Sequence, residues 1–338
     1  MNKVGRIQKV IVLSGMVMVG VVASVFGQTE DSLANRLPRR FVHGLGVEAR
    51  PEYVFPTHPF LRGENPERKL IRGAFSTHFK YALHYQPGSI YDRIYGNVYQ
   101  GIGLGCYSFG ESRQIGNPVA FYLFQGARIA RICPWLSFNY EWNFGLSGGW
   151  KPYDEQYNSY NKMVGSKINA YLNVNFYLRW ALSPRLSLTS GVTLTHFSNG
   201  NTNFPNAGVN TLGGKLGVEY NFYRKEDLTS LHAAASYHIP PFQRHVSYDF
   251  VFFGSWRRKG IWMQEGQYPL PESYPVFGFN FAPMYNVDYK LRLGVSLDGV
   301  YDGSANLYLS DEVMETSISH KSGGLLFIIN LPWVCRGG

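Results

Sequence analysis

Odd and even positions of this chain separate over long stretches. From 136 to 147, Leu136, Phe138, Tyr140, Trp142, Phe144 and Leu146 share one face of an extended strand, and Ser137, Asn139, Glu141, Asn143, Gly145 and Ser147 share the other. The pattern recurs over 168–180, where Ile168, Leu172, Val174, Phe176 and Trp180 oppose Asn169, Asn173, Asn175 and Arg179. Earlier, Phe75, Phe79, Tyr81 and Leu83 oppose Ser76, His78, Lys80 and His84. Later, Tyr289, Leu291, Leu293, Val295 and Leu297 oppose Lys290, Arg292, Ser296 and Asp298. Period two with one apolar face predicts β-strands. The runs last roughly 10–13 residues, longer than the ~5–6 of globular sheets and close to the ~9–11 that cross a bilayer at a tilt.

The expected strands are 41–50, 71–86, 97–109, 118–128, 135–149, 166–181, 185–197, 210–222, 229–238, 246–257, 274–283, 287–300 and 323–331. Their number predicts an all-β, transmembrane antiparallel barrel of about 12 strands, within a range of roughly 8–14. Segments 51–70, 151–163, 199–209, 258–273 and 301–322, rich in Pro, Gly and charge, read as loops. A secreted β-sandwich also alternates and is the rival fold.

Composition narrows the class. The 338 residues include 24 Tyr, 23 Phe and 7 Trp, and beyond the N-terminus no apolar run is long enough for a spanning helix. Trp150, Tyr177, Trp180 and Trp256 lie at strand ends, where a barrel places its aromatic girdles. Lys3, Arg6 and Lys9 precede an apolar stretch over 10–26, with Val25 and Gly27 at the positions before a cleavage point. This reads as a secretory signal peptide over 1–27, followed by a periplasmic segment over 28–40 and a barrel over 41–338. The chain ends "LPWVCRGG" rather than on an aromatic-terminated strand; a truncated barrel and an ordinary tail both remain open. The formal charge of +9 loses three units with the signal and contains no dense basic run, which argues against nucleic acid as a partner. Cys106, Cys133 and Cys335 make no disulfide framework, and no metal-ligand spacing occurs.

One strand carries unexpected polar groups. Leu186, Leu188, Val192 and Leu194 share a parity with His196 and Ser198, so both side chains are aimed at lipid. The tight turn at 182–185 belongs on the periplasmic side, which puts His196 near the outer leaflet. On the returning strand, Asn210 shares its parity with Leu212, Leu216, Val218 and Tyr220 and is also placed outward. Three isolated polar groups in hydrocarbon would be costly; a mutually bonded set is less so.

The stretch "HFSNGNTNFPNAGVN", 196–210, resembles the active-site segment of the outer-membrane lipid A 3-O-deacylases (PagL-type) and the related bacterial acyloxyacyl hydrolases. The close match covers about 15 residues. The resemblance implies that Ser198 is the nucleophile, His196 the general base and then acid, and Asn210 the residue orienting the imidazole, where the family has Glu. It further implies oxyanion donors at Asn199 and Gly200; Asn201 departs from the small residue usual at its position. Implied with these are an ester hydrolase of the Gram-negative outer membrane, lipopolysaccharide as substrate among outer-membrane lipids, and no cofactor. Glu219, the nearest acid, has inward parity.

Other signals are set aside. "GLSGG", 145–149, matches a lipase pattern but puts Ser147 on the inward face of a strand rather than at a strand-to-helix turn. "GIGLG", 101–105, lacks the helix that a dinucleotide site needs. His232, His238 and His245 have no metal-ligand spacing. The functional rival is a non-enzymatic barrel, a small porin or structural protein, with Asn169, Asn173, Arg179, Lys290 and Arg292 lining its pore.

Overall fold

The computed structural model describes residues 22–25, 41–86, 89–223, 239, 241–258, 260–263, 266–269, 272–304 and 321–330. Eight antiparallel strands close a barrel. They are β1 (Phe41–Val54), β2 (Gly73–Tyr85), β3 (Tyr99–Ser108), β4 (Gly116–Cys133), β5 (Leu136–Trp150), β6 (Ile168–Ala181), β7 (Leu186–Ser198) and β8 (Val209–Asn221). Each pairs with its sequence neighbour, and β1 pairs with β8 from Gly44↔Asn221 to Val54↔Thr211.

That last pairing corrects the expected count of about 12 strands in one barrel reaching residue 338. Once β1 and β8 share a ladder, the cylinder has no free edge to take a ninth strand. The later strands β9 (His245–Arg257), β10 (Tyr274–Asn286), β11 (Arg292–Asp302) and β12 (Lys321–Asn330) form a separate antiparallel sheet, with Val22–Val25 paired to β9. A short hairpin, Gly260–Met263 with Gly266–Pro269, lies between β9 and β10, where a loop was expected. The expected strand 229–238 lies outside the described residues.

The barrel is inside-out. Leu45, Val47, Phe79, Leu104, Phe121 and Leu216 are exposed on its outer wall. Its interior is polar and filled. Glu48 is held by Arg50 at 2.6 Å, Lys80 at 2.9 Å and Lys215 at 2.7 Å. Lys80 also reaches Glu141 at 2.5 Å, and Asn173 donates to Thr193 and Thr195. Buried charges persist only when paired this closely. The glycines of "GIGLG" give these groups room: a Cβ at Gly103 would fall 2.4 Å from the Tyr122 ring.

The two ends of the cylinder differ. At one, β4–β5 and β6–β7 are joined by short turns; the second is tied by Ser183, whose Oγ accepts from the Leu186 N–H at 3.0 Å. At the other end, 55–72, 109–115, 151–167 and 199–208 form a packed cap over an aromatic plug that includes Tyr107, Phe109, Tyr171 and Phe197. Two of the expected girdle aromatics are corrected. Tyr177 is buried in the interior, where its hydroxyl meets that of Tyr99 at 2.5 Å. Trp150 pairs with Gly116 beyond a bulge in which Asn117 and Pro118 of β4 oppose Gly149, whose φ is +91°, and its ring turns into the cap, where Nε1 donates to Ser147 at 2.9 Å. Trp180 stays on the outer wall at the short-turn end and stacks on exposed Trp135 at 5.7 Å.

Candidate active site

The site begins with Phe197. Its side chain is 1 % exposed and packs against Tyr107, Trp150 and Tyr171 at ring distances of 5.0, 5.0 and 5.4 Å. A residue anchored inward this firmly fixes the parity of the strand, since a slip of one position would expose the ring to lipid. Its neighbours His196 and Ser198 are therefore turned outward, in line with exposed Leu188, Val192 and Leu194.

Across the ladder, His196 is directly opposite Asn210 on β8 and Leu172 on β6. The amide oxygen of Asn210 lies 2.7 Å from His196 Nδ1. An amide oxygen can only accept, so Nδ1 carries the hydrogen and Nε2 is left with its lone pair. Ser198 faces Ala170 across the strand pair, and its Oγ, 6 % exposed as a residue, makes no hydrogen bond among the described residues. Residues i and i+2 of a strand stand about 6.5–7 Å apart along it. The imidazole and hydroxyl are thus neighbours on one face, with no hydrogen bond between them.

The 199–208 loop closes over them. Gly208 lies against the couple: a Cβ there would meet His196 Cε1 at 3.3 Å, Ser198 Cβ at 3.8 Å and Phe197 O at 3.0 Å, and its φ of +72° is itself unfavourable to other residues. Asn206 braces the loop by accepting from the Asn199 N–H at 3.1 Å and donating to Asn201 Oδ1 at 3.1 Å. Asn199 spends its side chain in the same way, donating to Asn203 O and accepting from the Asn201 N–H. The Asn199 N–H is thereby committed to Asn206, which leaves the Gly200 N–H, at φ +64°, as the next backbone donor after the serine. Asn201 adopts φ +61°, a conformation that Asn tolerates. Asn206 and Gly208 belong to the Pro-Asn-x-Gly part of the stretch that carries the family resemblance, but their roles could not be read from the sequence because neither lies on a strand whose parity could place it.

The other acids point away. Glu219 sits at the far end of β8, where it pairs with Arg179 at 3.1 Å. Glu52 faces inward, accepting from Ser76 at 2.7 Å and from Thr211. Ser147 is inward as expected, donating to Asn169 O at 3.1 Å.

The structure is thus an inside-out eight-stranded barrel whose outer wall carries His196, hydrogen-bonded to Asn210, beside Ser198. The chain matches the family model described as lipid A 3-O-deacylase (PagL) over residues 80–219 and that described as acyloxyacyl hydrolase, C-terminal domain, over residues 246–329, together about two thirds of its length. It belongs to the lipid A 3-O-deacylase family. Among solved structures, it is similar to Neisserial surface protein A (TM-score 0.35, 11 % identity, 53 % of this chain and 97 % of that one). It is likewise similar to the outer membrane enzyme PagL (0.34, 13 %, 51 % and 97 %) and to the N-terminal barrel of Pseudomonas aeruginosa OprF (0.30, 10 %, 54 % and 100 %). No curated protein matches the chain.

Proposed function

We propose that this protein is an outer-membrane lipid A deacylase that works at His196, Ser198 and Asn210. Family membership carries the ester-hydrolase activity and its lipopolysaccharide substrate; the 2.7 Å contact between His196 and Asn210 on the lipid-facing wall carries the site. In the first half-reaction, Ser198 Oγ adds to the carbonyl carbon of an ester-linked acyl chain as its proton passes to His196 Nε2. The oxyanion is met by the Gly200 N–H. Collapse breaks the ester C–O bond, and the imidazolium returns its proton to the departing alkoxide. In the second half, His196 takes a proton from water, hydroxide adds to the acyl-serine, and the fatty acid leaves as the serine is restored. Asn210 holds the tautomer needed in both halves but contributes no charge to the imidazolium. The substrate's chains lie in the same leaflet as the site, so no channel is required. The packed, ion-paired interior disfavours the porin reading: Asn169, Asn173 and Arg179 are spent on internal bonds rather than lining a passage.

The test is mass spectrometry of lipid A from cells expressing the protein or its Ser198→Ala variant. The intact protein should remove one acyl mass and the variant none, a loss of at least about 10³-fold in rate. Equal spectra from both would overturn the site.

A further inference from the structure

The sheet formed by β9–β12 plays no part in the chemistry above, yet it repeats the inside-out character of the barrel. On β9, Tyr248, Phe250, Phe252 and Trp256 share one face, and Phe252 and Trp256 are 62 % and 67 % exposed. The register sets Phe252 beside Phe279 and Phe250 beside Phe281 on β10, and Phe281 beside Leu297 on β11. Over 246–256, 275–285 and 293–301, this face carries no charged or amide side chain. The reverse face holds the polar groups. There Arg292 pairs with Asp249 at 2.7 Å, Arg257 pairs with Asp302, and Asn280 donates to Asp298 at 2.5 Å. That polar face is also the covered one: Met284 and Ser296 on it are each 0 % exposed.

A water-soluble sheet is arranged the other way round, with its apolar side covered. A continuous apolar face of three strands left open, with two ion pairs and covered apolar side chains on the reverse face, matches a surface that lies against acyl chains rather than water. Strand length agrees: β9, β10 and β11 have 13, 13 and 11 residues, enough to cross a bilayer at a tilt of about 45°. Depth agrees as well. The Arg258 N–H, just past the end of β9, donates to Asn201 O at 2.8 Å, so this end of the sheet is level with the loop that covers Ser198. The sheet's apolar face is thereby continuous in height with the lipid-facing belt of the barrel.

We infer that the C-terminal sheet is a second membrane-embedded wall, whose aromatic face contacts the acyl chains of the bilayer beside the site. The inference rests on the barrel spanning the membrane and not on the identity of the nucleophile. The full-length protein is reconstituted in phospholipid vesicles containing an apolar diazirine, photolysed, and mapped by peptide mass spectrometry, with its association state measured in parallel. Carbene adducts should appear on Tyr248, Phe252, Phe279 and Leu297 at yields within about twofold of those on Leu188, Leu194 and Leu216 of the barrel, and be absent from Asp249 and Ser296. A Phe252→Asp variant should lose adducts over 246–256 while keeping those on the barrel. Label confined to the barrel in a monomer would overturn the inference. Label confined to the barrel in a dimer would overturn it too, by showing that a second copy covers the face. A barrel without label would remove the membrane premise itself, independently of any result on deacylation.

Discussion

At the scale of single residues, the site depends on small differences in what a side chain can accept or avoid. Asn210 accepts the Nδ1 hydrogen of His196 but stays neutral when the imidazole becomes a cation. Asn210→Ala should lower the deacylation rate roughly 10–100-fold by freeing the ring. Asn210→Glu should raise it, by up to about tenfold, because a carboxylate stabilises the imidazolium by an amount comparable to one pKa unit. Single-turnover rates on purified lipopolysaccharide check both. Gly208→Ala tests the seat of the couple. A methyl group at φ +72° costs about 1–2 kcal/mol and presses on the His196 ring, so kcat should fall and the unfolding temperature should drop by a few degrees. His196 and Ser198 themselves were legible from the chain because strand parity reports direction. Asn206 was not, because its role depends on where an irregular loop returns.

At the scale of elements, the active loop is held from three sides: by the ends of β7 and β8, by Met163, whose carbonyl accepts from Ala207 and Gly208, and by the Arg258 N–H. The last bond comes from the C-terminal sheet and is independent of the arginine side chain. Arg258→Pro removes the donor and should lower kcat severalfold with KM unchanged, whereas Arg258→Ala keeps the N–H and should leave both constants near those of the unmodified protein. Equal kinetics for the two variants would show that the bond does not position the loop. Most barrel strands fall within two residues of their sequence-read limits, because alternation stops where a turn begins. Trp150 ran against the pattern because a bulge and a positive-φ glycine turned one residue aside, and a two-residue period carries no trace of that.

At the scale of the whole molecule, the barrel interior combines a paired ionic layer with an aromatic plug. Glu48 is the common partner of Arg50, Lys80 and Lys215. Glu48→Gln would leave Arg50 and Lys215 without their carboxylate partner, while Lys80 keeps Glu141, and breaking such a network by one member costs about 3–5 kcal/mol. The folded band on unheated gels should convert to the unfolded band at a clearly lower temperature, while Ser198→Ala should leave that transition in place. An unchanged transition in Glu48→Gln would mean that the interior charges contribute little to holding the barrel together.

Periodicity by itself determined that this chain makes long, two-faced strands, which face of each is apolar, and that His196, Ser198 and Asn210 share the outer one, since side-chain direction alternates wherever the backbone is extended. Closure was decided only in three dimensions. Strands that join a barrel and strands that form a separate sheet have the same local pattern, and the difference lies in whether β1 meets β8 across more than 150 residues of chain. The same holds for the loop that seats the histidine and serine, because its bonds link residues whose approach no local pattern encodes.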